Sequence, residues 1–318
     1  MYDITALGEV LIDFTAAGIS PAGQRLFEQN PGGAPANVLA VMSRYGSNTA
    51  FIGKVGQDMH GLFLRQTLED LGIDCQGLIM DEQVFTTLAF VDLDAAGERT
   101  FSFARKPGAD TMLRPDEIAE DTIKNSRILH LSSLSLTSEP SRSATLHAIA
   151  VAKENGVIIS YDPNYRAPLW KSQAEAERLM KAVLPYVDIL KLSDEEIALL
   201  TPEQTPEKAA AHLLSLGISL VAVTLGEKGA LIATSEGSVL VEGFKSNVVD
   251  TNGAGDSFWG GFLYQMLKSD VLPHHIDLAK AATCARFGNA VASLCVQKRG
   301  CIPAIPAPEA VRALVADS

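Results

Sequence analysis

Basic residues are in short supply. The chain has 26 Lys and Arg against 38 Asp and Glu, a formal net charge of -12 over 318 residues. A surface this acidic repels phosphate backbones, which argues against nucleic acid as a partner. An anionic ligand stays admissible if backbone N–H groups, a helix N-terminus, a few Arg and a metal gather at one place. Cysteine is scarce too. Cys75, Cys284, Cys295 and Cys301 form no CxxC pair and no zinc spacing, so they read as free buried thiols in a reducing compartment. No apolar run approaches the length of a membrane span. The opening MYDITALGEV lacks the basic flank, apolar stretch and cleavage site of a signal peptide. The expectation is a cytoplasmic protein without a membrane partner. A GxGxxG turn is missing after the first strand, which ranks a dinucleotide oxidoreductase last. Internal repeats, low-complexity tracts and interdomain linkers are missing as well, so residues 1–318 read as one domain.

What is present is an ordinary globular balance, 47% hydrophobic and 20% charged. ITALGEVLIDF opens as a strand, and PANVLAVMSRYG sets Val38, Val41, Met42 and Tyr45 at helical spacing. TAFIGKVG, ILHLSS, VIISYD, DILKLS and LVAVTLG read as strands separated by helical patterns, each helix closing near a Gly. That alternation predicts a mostly parallel sheet covered on both faces. Two stretches break the rhythm: TTLAFVDLD-AAG-ERTFSFAR reads as an antiparallel hairpin, and the segment from Asp13 to Pro31 is short and extended. Together they predict a small separate sheet.

The most informative segment is DTNGAGDSFWGGFL, from Asp250 to Leu263. Gly253 and Gly255 flank Ala254 just before a helical pattern. A Gly-rich turn entering a helix leaves the first N–H groups free, and the helix dipole adds positive charge there. Such a mouth suits a phosphoryl group. Asp256 lies in the first turn. By its position it either caps the helix or accepts a proton from an incoming hydroxyl. In PGGAPANV, Gly32 and Gly33 let a ligand approach the backbone, and Asn37 offers a donor and an acceptor; a helix-capping role for Asn37 is the alternative.

DTNGAGDSFWGGFL closely resembles the C-terminal signature of the ribokinase-like (PfkB) carbohydrate kinases, and PGGAPAN resembles their sugar-binding signature in the form seen in fructokinases. Leu39 departs from it, standing where a small residue is usual. The resemblance runs through almost the whole chain. It implies a three-layer α/β/α sandwich with a mostly parallel central sheet and a β-sheet lid from about 12–32 and 86–106. It implies that Asp256 is the catalytic base, that Gly253, Ala254 and Gly255 form the anion hole, and that Asp13, Gly32, Gly33 and Asn37 bind the sugar. In DPNYR, Asn164 and Arg166 would lie near the substrate or transferred phosphate, and Arg105 would reach the sugar from the lid. KLSDEE resembles an Asn-x-x-Glu motif that organises Mg²⁺ and phosphates. Ser193 stands in the Asn place, and Glu196 would act on Mg²⁺ through water. Thr224, Gly226 and Gly229 would line the ATP phosphates and ribose, and Asn289 the base. The segment 298–304 resembles a loop that, with Asp250 and Asn252, holds a monovalent cation such as K⁺ through the main chain of Cys295, Lys298, Gly300 and Ala304.

The activity implied is transfer of the ATP γ-phosphate to a small ketose, fructose first, giving fructose 6-phosphate. DPNYR is also similar to 2-keto-3-deoxygluconate kinases, and aminoimidazole riboside kinases share much of the pattern. A sugar- or nucleotide-binding regulator without catalysis is the alternative of another class. Relatives often dimerise through the lid, so a homodimer is expected.

Overall fold

The computed structural model describes residues 1–93, 99–269, 273 and 276–317. Its centre is a nine-stranded sheet. The parallel part contains β1 (Tyr2–Leu7), β4 (Thr49–Gly56), β5 (Asp74–Asp81), β8 (Ser126–Ser132), β9 (Ile158–Asp162), β10 (Ile189–Ser193) and β11 (Leu220–Thr224). An antiparallel edge is added by β12 (Ala230–Thr234) and β13 (Gly237–Val241). The order is β13-β12-β11-β10-β9-β8-β1-β4-β5. The central strands are buried and mostly apolar because both faces are covered, while the edge strands β5 and β13 keep exposed positions. In β11, Val221 and Val223 face one core while Leu220 and Ala222 face the other.

Helices α4 (Ser141–Glu154), α5 (Gln173–Val183) and α7 (Pro206–Ser215) bury their apolar stripes in the first core. Helices α1 (Ala34–Arg44), α2 (Met59–Asp70), α8 (Ala254–Lys268) and α9 (Leu278–Cys295) do so in the second. Short α3 (Glu120–Lys124) and α6 (Ile197–Leu200) join the first core, and α10 (Pro308–Ala316) caps a satellite cluster beside α9. Consecutive glycines explain how tightly α8 is held. A Cβ on Gly260 would lie 2.8 Å from Val41 of α1, and one on Gly261 would lie 3.1 Å from Gly288 of α9. Trp259 fills the space below and donates to Ser160 Oγ at 2.9 Å.

The interrupted alternation does form a second sheet, of four strands, ordered β3-β2-β6-β7. It comprises β2 (Leu11–Ile19), β3 (Arg25–Gly32), β6 (Leu88–Leu93) and β7 (Arg99–Ala104). The Ala95–Gly97 turn of the expected hairpin lies outside the described residues. One expectation needs refining: ITALGEVLIDF is not one strand. The chain leaves the main sheet after Leu7 and enters the small sheet at Leu11. The buried carboxylate of Glu9 sits at this crossing, accepting from Ala34 N and Ser132 Oγ, each at 3.0 Å.

Candidate active site

The carboxyl ends of β9, β10 and β11, the N-terminus of α8, the N-terminus of α1 and the small sheet meet at one place. Parallel strands end there together, which is where open α/β sheets bind ligands.

The N-terminal segments around Asp13 and Asn37 are stitched to the 250–256 turn across the length of the chain. Asn37 Nδ2 donates to Asp256 Oδ2 at 2.8 Å. Asn252 Nδ2 donates to Asp13 Oδ2 at 3.2 Å. Asn37 Oδ1 is buried with no partner among the described residues. A buried acceptor left open beside a carboxylate is what an incoming hydroxyl would satisfy. Gly32 is forced by this geometry, since its Cβ would fall 2.3 Å from Asp13 Oδ2. Gly33 (φ 112) caps α1 and would drive a Cβ to 2.4 Å from Glu9 O.

Asp256 is buried in the first turn of α8. Burial raises its pKa, opposed by the Lys191 ammonium, the Asn37 hydrogen bond and the Arg166 guanidinium. A carboxylate made more basic in this way is a better proton acceptor at neutral pH. Burial likewise pushes the Asp13 carboxyl up to about 6, against the Asn252 bond and Arg166. Gly253 takes a left-handed conformation (φ 71), and no side chain caps α8. With no side-chain cap, the mouth of α8 has the chemistry to receive an anion; the Ala254 amide itself donates to Thr251 O at 3.2 Å.

In the DPNYR segment, Asp162 Oδ1 accepts from Asn164 N at 3.2 Å and folds the turn, with Asn164 at φ 45. Half-buried Arg166 donates to Tyr165 O at 3.0 Å, and its charge acts on both Asp13 and Asp256. Glu196 forms a reciprocal cap with Ser193 and accepts from Tyr165 N at 2.6 Å, so it ties the β9 and β10 loops together. Arg105 is clamped at the base of the small sheet. Its Nε donates to Asp110 Oδ2 at 2.8 Å, its Nη1 to Thr137 Oγ1 at 2.9 Å and its Nη2 to Leu134 O at 3.0 Å.

Beside the neighbouring strand end, Thr224 closes β11 and Gly226 (φ 59) opens a tight turn. Gly229 (φ 99) closes it; its Cβ would lie 2.1 Å from Val241 O. Asn289 Nδ2 donates to Val241 O at 2.9 Å and Glu242 O at 3.1 Å, holding α9 against the end of β13. Asp250 accepts from Asn252 N at 2.8 Å and from Gly300 N at 3.0 Å, which pins the Lys298–Ala304 loop beneath the 250–252 turn. No group of three or more His, Cys, Asp or Glu among the described residues is arranged to hold a metal.

Three residues of this region carry no motif signal of their own: Glu9, Asp162 and Lys191. Each is a charged residue inside an apolar strand pattern or at its end, and that misfit is the available clue. Lys191 Nζ donates to Asp162 Oδ2 at 2.8 Å, with both side chains buried. The four cysteines are buried and free.

Among known proteins, residues 1–308 match the pfkB family carbohydrate kinase domain. The chain is 44% identical to "Probable fructokinase-3" of Arabidopsis thaliana over 306 residues, 95% of this chain and 88% of that one. Its fold is similar to that of a Vibrio cholerae O395 fructokinase solved with fructose, ADP and calcium. The TM-score is 0.89 at 36% identity, and 99% of each chain is covered. An aminoimidazole riboside kinase from Salmonella enterica, solved with its riboside and an ATP analogue, is similar at TM-score 0.84 and 28% identity, covering 98% of this chain and 99% of that one. The nine-stranded sheet and the small four-stranded sheet accord with these matches, and the chain belongs to the pfkB family of carbohydrate kinases.

Proposed function

We propose that this chain transfers the γ-phosphate of ATP to fructose, releasing ADP and fructose 6-phosphate. The observation that carries the reading is the buried Asp256 carboxylate at the open end of α8, hydrogen-bonded to Asn37 of the sugar loop. Asp13, Gly33 and Asn37 hold the sugar. Asp256 takes the proton of the attacking hydroxyl as its oxygen bonds to the γ-phosphorus and the bond to the ADP oxygen breaks. The α8 amides, Ala254 and Gly255 among them, and Arg166 offset the charge on the transferring group. Thr224, Gly226 and Gly229 border the nucleotide, with Asn289 bracing the neighbouring strand. Mg²⁺ would supply charge neutralisation on the ATP phosphates. K⁺ held by the 250–252 and 298–304 loops would steady the anion hole; exchanging K⁺ for tetramethylammonium is expected to lower the rate.

The small sheet closes over the sugar and excludes water. Its exposed Ile19, Leu26, Phe27 and Phe90 support a homodimer through this lid, checked by sedimentation equilibrium. Initial rates of ADP release with fructose, 2-keto-3-deoxygluconate, aminoimidazole riboside, ribose and adenosine test the substrate. Fructose is expected to give the highest kcat/KM; a higher value with any other would overturn the choice, and no sugar-dependent ADP release would overturn the kinase reading.

A further inference from the structure

Beneath the turn that opens α8 lies a cation that the chemistry above does not use. Lys191 is on β10, a strand enclosed by both cores, where apolar side chains are the rule. Its ammonium and the Asp162 carboxylate form a pair only 6% and 1% exposed. A buried ion pair of this kind is seldom retained for stability, because well-packed apolar residues serve as well or better. Its place points elsewhere. A Cβ on Gly255 would lie 2.8 Å from Lys191 Nζ. The ammonium is therefore packed directly against the backbone of the anion-binding turn, one residue before Asp256.

The groups facing Asp256 come from several elements. Lys191 approaches from β10 and Arg166 from the loop after β9. Glu196 lies after β10, Asp162 at the end of β9 and Asp13 on β2. The Cys295 and Cys301 thiols lie behind the turn. Carboxylates dominate this set, and Arg166 is half-buried at the rim while Lys191 is enclosed. The Lys191 charge opposes the upward push that burial gives the Asp256 carboxyl.

We propose that Lys191 is a positioning residue for phosphoryl transfer: anchored by Asp162 beneath Gly255, its ammonium keeps the Asp256 carboxylate ionised and supports the anion-binding turn. The role rests on Asp256 being the general base.

Two variants test it. Lys191→Met removes the ammonium. The double variant Lys191→Met, Asp162→Asn removes the pair together, so no buried charge is left alone and folding is protected. Asp256 is followed in each by carboxyl ¹³C NMR titration, its signal identified by loss in Asp256→Asn, beside the pH profile of kcat and the fructose KM. The expected result is an upward move of the Asp256 titration and of the acid limb of kcat by about one pH unit or more. At a fixed pH on that acid limb, kcat should fall up to about tenfold while the fructose KM stays within about threefold. A folded double variant whose titration and acid limb coincide with those of the native enzyme would overturn the proposal. If the native enzyme phosphorylates no sugar, the function reading fails while the NMR titration still decides the link from Lys191 to Asp256. If it phosphorylates fructose and nothing moves, only the role of Lys191 falls.

Discussion

Replacing Asp13 by Asn separates what this site costs the fold from what it does for the sugar. Burial lifts the Asp13 carboxyl to about 6 from 3.8. The unfolded chain keeps the ordinary value, so between about pH 4 and 6 the folded protein binds more protons than the unfolded one. Stability from this group is full below that window and is lost as pH rises through it. Two units at about 1.36 kcal/mol each set a ceiling of about 3 kcal/mol. The side chain is half-buried and keeps some water, which lowers the expected effect to about 1–2 kcal/mol. An amide has nearly the same shape, carries no charge, and its oxygen still accepts from Asn252. Without sugar, Asp13→Asn should therefore be the more stable protein at pH 8 by about 1–2 kcal/mol, and by only about a third of that at pH 4.5. With sugar the order reverses. A charged acceptor for two hydroxyls is lost at about 1.5–3 kcal/mol each, so fructose affinity should drop at least about 100-fold. Urea denaturation at both pH values, with and without fructose, reads both effects. The reasoning is refuted if the stability difference does not depend on pH, or if fructose protects the variant as well as the native protein.

Further outcomes follow from the same geometry. Asp256→Asn should lower kcat by about 10²–10⁴ with the fructose KM within about threefold, as read by coupled ADP assay; a near-normal kcat would remove Asp256 as the base. Gly253→Ala demands a left-handed residue with a Cβ 2.2 Å from Cys301 Sγ, so kcat should collapse while a circular dichroism melt stays cooperative; unchanged kcat would show that the turn is not the anion site. Arg105→Met leaves Asp110 buried without its partner, and a loss of about 3–5 kcal/mol in urea denaturation is expected. If that variant is as stable as the native chain but binds fructose poorly, Arg105 acts on the sugar and not as a clamp.

The layered fold was legible because its causes are local. Strands buried on both faces read as apolar runs, and helices closing at Gly read as crossovers. The Gly-rich entry to α8 was legible for the same reason, since glycines before a helix and an acid in its first turn are neighbours in sequence. The break inside ITALGEVLIDF was not. Both sheets bury side chains there, so the apolar run continues while the chain changes sheets. The edge strands β5 and β13 carry polar and exposed positions that blur their alternation. Arg105 shows a different limit. Its position at the end of β7 could be read, but its partners lie on the loop after the strand and the loop after β8.

The sequence by itself determined the alternating α/β architecture, the glycine-led start of α8 and the acid in its first turn, because each depends on residues within a few positions of one another. Only the tertiary structure decided that Asn37 grips Asp256, that Asn252 grips Asp13, and that Lys191 lies beneath Gly255. Those meetings join segments up to 239 residues apart in the chain. They exist because parallel strands end side by side, a relation that no local pattern encodes.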